Sequence, residues 1–178
     1  MQKRLLDSYY KPAEDTFFIA NYLKNLKGTI ALDIGTGSGF LAHVLSKNFD
    51  CVIATDIDTL ALRKAHEIID NCICCNAADS LHTNFDLIVC NLPYLPSEKI
   101  SDPSVDGLRE GIEVPTIIIK SACEKIKKNG KLVFLTSSLA NYNMLLKEAE
   151  SLGFTVKVID KKRLFFEELI LVECIKNS

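Results

Sequence analysis

Four consecutive residues, Asn91-Leu92-Pro93-Tyr94, combine an amide side chain, a proline-restrained carbonyl and an aromatic ring. Such a set suits the capture of a planar NH2 group. The Asn91 side-chain oxygen and the Leu92 carbonyl can accept from its two N–H groups, and Tyr94 offers a flat surface for stacking. Pro93 removes a backbone donor and holds Leu92 extended, so the bend is fixed. A nitrogen conjugated to a carbonyl or a ring is a poor nucleophile. Group transfer to it rests on positioning and preorganised electrostatics rather than on a strong base.

A second constellation lies upstream. Asp33 precedes Gly35-Thr36-Gly37-Ser38-Gly39, set between an apolar run and a helical pattern. Glycines permit a tight turn and bring bare backbone against a ligand. The spacing is GxGxG rather than the GxGxxG of dinucleotide folds. Asp33 would repel a pyrophosphate, but it suits a ligand carrying an ammonium group and a sulfonium. That ligand is S-adenosylmethionine (SAM). Asp56 lies about twenty residues on, at the end of the next apolar run, where a carboxylate can accept both ribose hydroxyls. Asp58, before TLALRKA, reads as a helix N-cap. Asp79 follows the third apolar run and can accept from an adenine amine, with the Ser80 and Leu81 backbone alongside. Singly, these are a tight turn, a loop carboxylate and a strand end; together they describe one pocket.

Alternating strands and helices must hold these residues. The apolar run 86–90 reads as a buried central strand that stops at the NLPY turn, at the edge where ligands sit in open α/β sheets. Further strands are expected at 29–34, 51–55, 72–75, 131–136, 154–159 and 166–174. Helices are expected at 13–26, 40–48, 58–69, 113–128 and 141–152. Residues 9–12 form an extended lead-in, and 97–111 an irregular loop of a length that is usually functional. Strand–helix alternation predicts βαβ units with right-handed crossovers. The last two strands are joined by a short charged turn and must pair antiparallel. The expected fold is a three-layer α/β sandwich around a mostly parallel seven-stranded sheet with a terminal antiparallel hairpin. Residues 1–178 form one domain, with 1–28 covering the cofactor site.

A formal charge of −2 argues against a broad footprint for a polyanion, although Lys157, Lys161, Lys162 and Arg163 cluster late in the chain. Seven cysteines, an odd number mostly within apolar runs, read as reduced, buried thiols rather than a disulfide framework or zinc site. Cys72-x-Cys74-Cys75 is therefore not taken as a metal clip. No apolar stretch is long enough for a bilayer, and MQKRLLDSYY lacks a signal-peptide core, so a cytoplasmic protein is expected.

The NLPY turn resembles the N/D-P-P-Y signature of class I methyltransferases that methylate an amide or an adenine amine. Tyr10-Lys11-Pro12-Ala13-Glu14-Asp15-Thr16 resembles the lead-in of the archaeal and eukaryotic release-factor glutamine methyltransferases, the HemK-related branch. With DIGTGSG, TDID, AAD and NLPY, the resemblance covers residues 9–94, and more weakly Gly107 to Gly111. It implies SAM as cofactor, along Tyr10, Thr16, Asp33, Gly35, Gly37, Gly39, Asp56, Ile57, Asp79, Ser80 and Asn91. Asn91, Leu92, Pro93 and Tyr94 would hold the target, the glutamine of a Gly-Gly-Gln loop in a translation release factor. It also implies a small zinc-ribbon activator along the 72–75 edge strand, in a heterodimer. Leu92 stands where the family usually has Pro, which bears on substrate preference. Two other readings stay open: an adenine N6-methyltransferase acting on DNA or RNA, and a non-catalytic scaffold of the same fold.

Overall fold

The strand nearest the chemistry lies in the middle of the sheet. A computed structural model describes residues 14–177; the lead-in 9–12, and with it the expectation on Tyr10, lies outside the described residues. The elements run α1 (Glu14–Leu23), β1 (Gly28–Ile34), α2 (Phe40–Leu45), β2 (Phe49–Asp56), α3 (Thr59–Ala65), β3 (Cys72–Cys74) and β4 (Phe85–Asn91). They continue with β5 (Leu95–Pro96), β6 (Asp106–Leu108), α4 (Glu113–Lys125), β7 (Ile126–Ser137), α5 (Tyr142–Ser151), β8 (Phe154–Arg163) and β9 (Glu168–Lys176). Seven of these strands form one sheet in the order β3-β2-β1-β4-β7-β9-β8. The first five are mutually parallel, and β9 runs antiparallel between β7 and β8.

Both faces of the sheet are covered, which explains the unbroken apolar runs. Ile88 and Cys90 of β4, and Leu92 just past it, face a cluster that includes Ile119 and Ala122 of α4 and Leu145 and Ala149 of α5. Leu87 and Val89 face the opposite cluster, with Ile19 and Leu23 of α1 and Leu41 and Leu45 of α2. Parallel strands sandwiched this way all point their carboxyl ends at one edge, where β1, β2 and β4 deliver the motif residues.

Several boundaries differ from expectation. The helix expected to reach 128 stops at Lys125, and β7 begins at once at Ile126. Asn129, at φ 61°, and Gly130 lie inside this strand, where the β4–β7 register shifts. A side chain at Gly130 would come within 3.0 Å of the Phe85 carbonyl, so the pair forms a bulge rather than a helix stop. β8 runs on to Arg163 through a second register shift near Val158 and Asp160. The loop 97–111 is more ordered than expected: β5 pairs with β6, and a 3-10 turn spans Arg109–Gly111. Of the cysteines, only Cys75, Cys90 and Cys174 are buried; Cys74 is exposed and Cys51 and Cys72 are half-buried, because β2 and β3 lie toward the sheet margin, and Cys123 of α4 is half-buried as well. Among the described residues no helix is long and apolar enough to cross a membrane.

Candidate active site

A cavity of about 600 Å³ opens at the carboxyl ends of β1, β2 and β4. Thr16, Gly35, Gly37, Asp56, Ile57, Asn91 and Pro93 all line it. Asn91 is the last residue of β4, and its side-chain nitrogen donates to Asp15 Oδ2 at 3.0 Å. That contact orients the amide. Its Oδ1 is inaccessible to solvent and meets no donor among the described residues. A buried acceptor without a partner carries a desolvation cost, which a bound N–H group would relieve.

The glycine loop is tied from below and from the side. Asp33 is buried beneath it; its Oδ2 accepts from the Thr36 hydroxyl at 2.7 Å and the Ala42 N–H at 3.0 Å. Asp33 therefore organises the loop and does not line the cavity, contrary to expectation. Burial raises its carboxyl to about 7, with the nearby Asp56 charge adding to the effect. Asp56 accepts from the Gly37 N–H and the Asp58 N–H, both at 2.9 Å, and keeps lone pairs for further donors. Asp58 caps α3 as expected, accepting from the Leu60 N–H at 2.8 Å. Gly35, at φ +68°, has nothing within 4 Å of a would-be Cβ, so bare backbone faces open space. Gly39 has a different task from the one expected. A Cβ there would lie 3.0 Å from the Ala65 backbone, so this glycine lets α2 pack on α3.

Asp79 and Ser80 stand off the cavity wall. The Asp79 carboxylate accepts from the Ser121 hydroxyl at 2.7 Å and the Asn76 amide at 3.3 Å, and Asn76 and Ala77 take the wall position. Leu92 and Tyr94 are also absent from the wall. Leu92 is 2% exposed and its N–H donates to the Leu135 carbonyl at 3.2 Å, so the β4–β7 ladder runs one step past Asn91. A proline at this position could not make that bond. Tyr94 is half-buried against the cluster under α1. Behind the turn, a Cβ on Gly107 would lie 2.7 Å from the Pro93 carbonyl oxygen, and one on Gly111 2.2 Å from that of Tyr94. Only glycines let this loop support the NLPY backbone. Leu108 and Glu110, at φ 59° and 54°, adopt positive φ beside them, strain of the kind that collects at working sites.

Sequence reasoning missed Asp15, whose place in the first helical turn already gave it a local explanation. It also missed the apolar wall of Val114, Ile117 and Ile118, which reads simply as one side of α4.

The sequence profile of the methyltransferase small domain family matches residues 11–165. The chain belongs to that family. It is 29% identical to a Methanocaldococcus jannaschii protein named as an N5-glutamine methyltransferase, across 95% of this chain and 92% of that one. A release factor glutamine methyltransferase of Bradyrhizobium diazoefficiens is 30% identical over 57% of the chain, which spans 41% of that protein. Ribosomal RNA small subunit methyltransferase C of Buchnera aphidicola is 27% identical over 84% of the chain, which covers 44% of it. Among solved structures, the E. cuniculi Mtq2–Trm112 complex, described as methylating the termination factor eRF1, aligns at a TM-score of 0.83. The alignment is 25% identical and covers 96% of this chain and 99% of that one. As a methyltransferase, the chain has its cavity at the edge where the strand carboxyl ends present the glycine loop and Asn91 together.

Proposed function

We propose that this methyltransferase uses SAM to methylate the side-chain amide nitrogen of a glutamine in a translation release factor, the Gln of a Gly-Gly-Gln loop. The carrying observation is Asn91: it lines the cavity, is held by Asp15, and has a buried side-chain oxygen without a donor among the described residues. The M. jannaschii, Bradyrhizobium and Mtq2 likenesses support the choice of substrate.

The cavity fits the cofactor. Open backbone at Gly35, the Asp56 carboxylate and the apolar surfaces of Ile57, Ala77 and Ile118 match a main-chain-like tail, a ribose and a flat base in turn. Bound there, SAM supplies an electrophilic methyl group from its sulfonium. Asn91 Oδ1 accepts from the target NH2, orienting it and drawing electron density onto its nitrogen. Pro93, which lines the cavity, fixes the backbone that follows Asn91. Residues 1–178 act as one domain, in the cytoplasm where release factors work.

A small zinc-ribbon activator is assigned to β3, the edge strand beside β2, by addition of a strand to its open edge.

The test is transfer of labelled methyl from SAM, with and without the zinc-ribbon partner, to release factor and to adenine-containing oligonucleotides in parallel. Label enters the release factor at the loop glutamine, and Asn91→Ala lowers kcat roughly 10²–10³-fold, as loss of one preorganised polar contact does. Label in the oligonucleotide alone would transfer the assignment to adenine in a nucleic acid; the Buchnera relative is named for ribosomal RNA.

A further inference from the structure

The exposed surface carries one feature that the chemistry leaves unused. Between β8 and β9 the chain turns through Leu164 to Glu167, and at its tip Phe165 and Phe166 are 92% and 84% exposed. Their rings stack edge to face with centroids 4.6 Å apart. No other large apolar side chain among the described residues exceeds 62%. Two adjacent aromatic rings, each offering about 150–250 Å² of surface, form an apolar projection that water alone does not favour.

The turn itself is well anchored. Leu164 packs under the sheet, and its N–H donates to the Glu167 carbonyl at 2.8 Å. Glu167 accepts from the Ser137 hydroxyl, and the Glu168 N–H donates to the Ser138 hydroxyl at 2.9 Å. The rings are thus presented on a braced hairpin end.

Register places this tip beside the active site. Asn91 pairs with Leu135 of β7, Leu135 with Leu171 of β9, and Ser137 with Leu169, next to the turn. Two to three strand spacings of about 4.8 Å set the tip roughly 10–15 Å sideways from Asn91, and the five residues from Leu171 back to Phe166 carry it roughly 15 Å further out from the same edge of the sheet. Charge at the hairpin is mostly paired: Lys161 meets Glu168 at 3.2 Å and Lys162 meets Glu14 at 3.0 Å. Arg163 is exposed and makes no salt bridge among the described residues.

We infer that the Phe165–Phe166 tip with Arg163 docks the polypeptide substrate at a second point, seating the rings in an apolar cleft that carries a carboxylate at its rim. The occupant is the protein substrate because the projection continues the edge on which the methylated residue must arrive. A loop glutamine alone offers few contacts, whereas aromatic and arginine anchors carry most interface energy. This inference rests on the polypeptide-substrate reading above.

The experiment compares intact release factor with a seven-residue peptide centred on the target glutamine. Such a peptide reaches only about 10 Å to either side and cannot span both points. The full chain is used, with its partner where activity requires one. In Phe165→Ala/Phe166→Ala, KM for the intact factor rises at least tenfold, while kcat and the peptide kcat/KM stay within twofold of wild type. Phe165→Leu/Phe166→Leu restores KM, and Arg163→Glu raises it severalfold. An unchanged KM, or equal losses on factor and peptide, overturns the proposal.

Binding of the intact factor, titrated without turnover in the presence of S-adenosylhomocysteine, separates the two readings. Affinity lost in the double alanine variant supports docking even where no methyl is transferred, in which case the assigned reaction alone falls. A wild-type dimer that dissociates in the variant assigns the tip to a second copy and overturns the proposal. So does variant-sensitive binding to vesicles of phosphatidylserine and phosphatidylcholine. Slow hydrogen exchange at the Phe165 and Phe166 amides of the free monomer would likewise overturn it, by assigning the cover to the chain itself.

Discussion

Asn91 and Asp33 show how differently two polar side chains at neighbouring strand ends are used. Asn91 lines the cavity and has a buried acceptor without a donor, whereas Asp33 is sealed under the glycine loop with one oxygen bonded and Oδ1 lacking a partner. Burial raises the Asp33 carboxyl from 3.8 to about 7. Between those values the unfolded chain releases this proton and the folded chain retains it. The stability this group contributes is therefore full below about pH 4, falls as pH rises, and levels off above about 7. The slope is at most about 1.4 kcal/mol per pH unit. Asp33→Asn removes that slope, so urea unfolding of wild type and variant between pH 5 and 8 should diverge with pH. Parallel curves would show that the carboxyl titrates normally.

At the scale of elements, the site depends on backbones approaching closely. The NLPY turn rests on a loop whose glycines leave no room for a methyl group; the added Cβ of Gly111→Ala would sit 2.2 Å from the Tyr94 carbonyl oxygen and 2.9 Å from the Ala140 Cβ. Gly111 also has φ +69°, which an alanine adopts at a cost of roughly 1–2 kcal/mol. Gly111→Ala should lower kcat at least tenfold by shifting the turn, with a loss of stability of about 1–3 kcal/mol in denaturant unfolding. Stability lost with kcat intact would mean that the turn tolerates displacement. The loop 97–111 marks itself as functional by length, but its pairing with the turn is invisible in the sequence. β5 and β6 are too short to leave a periodic pattern.

For the whole molecule, the open question is what meets the β3 margin of the sheet. The Ala54 N–H donates to the Asn71 carbonyl and the Cys75 N–H to the Asp56 carbonyl, at 2.9 and 3.1 Å. Residues of a strand alternate in direction, so Cys72 and Cys74 turn away from β2; the Cys72 N–H is taken by the Asp70 carbonyl at 3.3 Å, which leaves the Cys74 N–H as the outward donor. Cys74→Pro deletes an outward donor without touching the β2 pairing. It should weaken heterodimer formation at least tenfold in a titration of the zinc-ribbon partner, with the thermal transition of the isolated chain shifted little. Unchanged affinity would place the partner elsewhere.

The order of strands and helices, the parallel sheet with its antiparallel end, the glycine loop and the NLPY turn were all legible in the residues. Each leaves a local mark: an apolar run, a 3.6-residue period, a glycine spacing, a proline. What only the tertiary structure decided is which polar groups face the cavity. Asp33, Asp79 and Gly39 have the right types at the right strand ends, yet they bond to Thr36 and Ala42, bond to Ser121, and admit Ala65, respectively. Asp15, which reads as a helix-dipole residue, orients Asn91 from 76 positions away. Direction of a side chain is set by packing and hydrogen bonding between elements distant in the chain, and no local pattern encodes it.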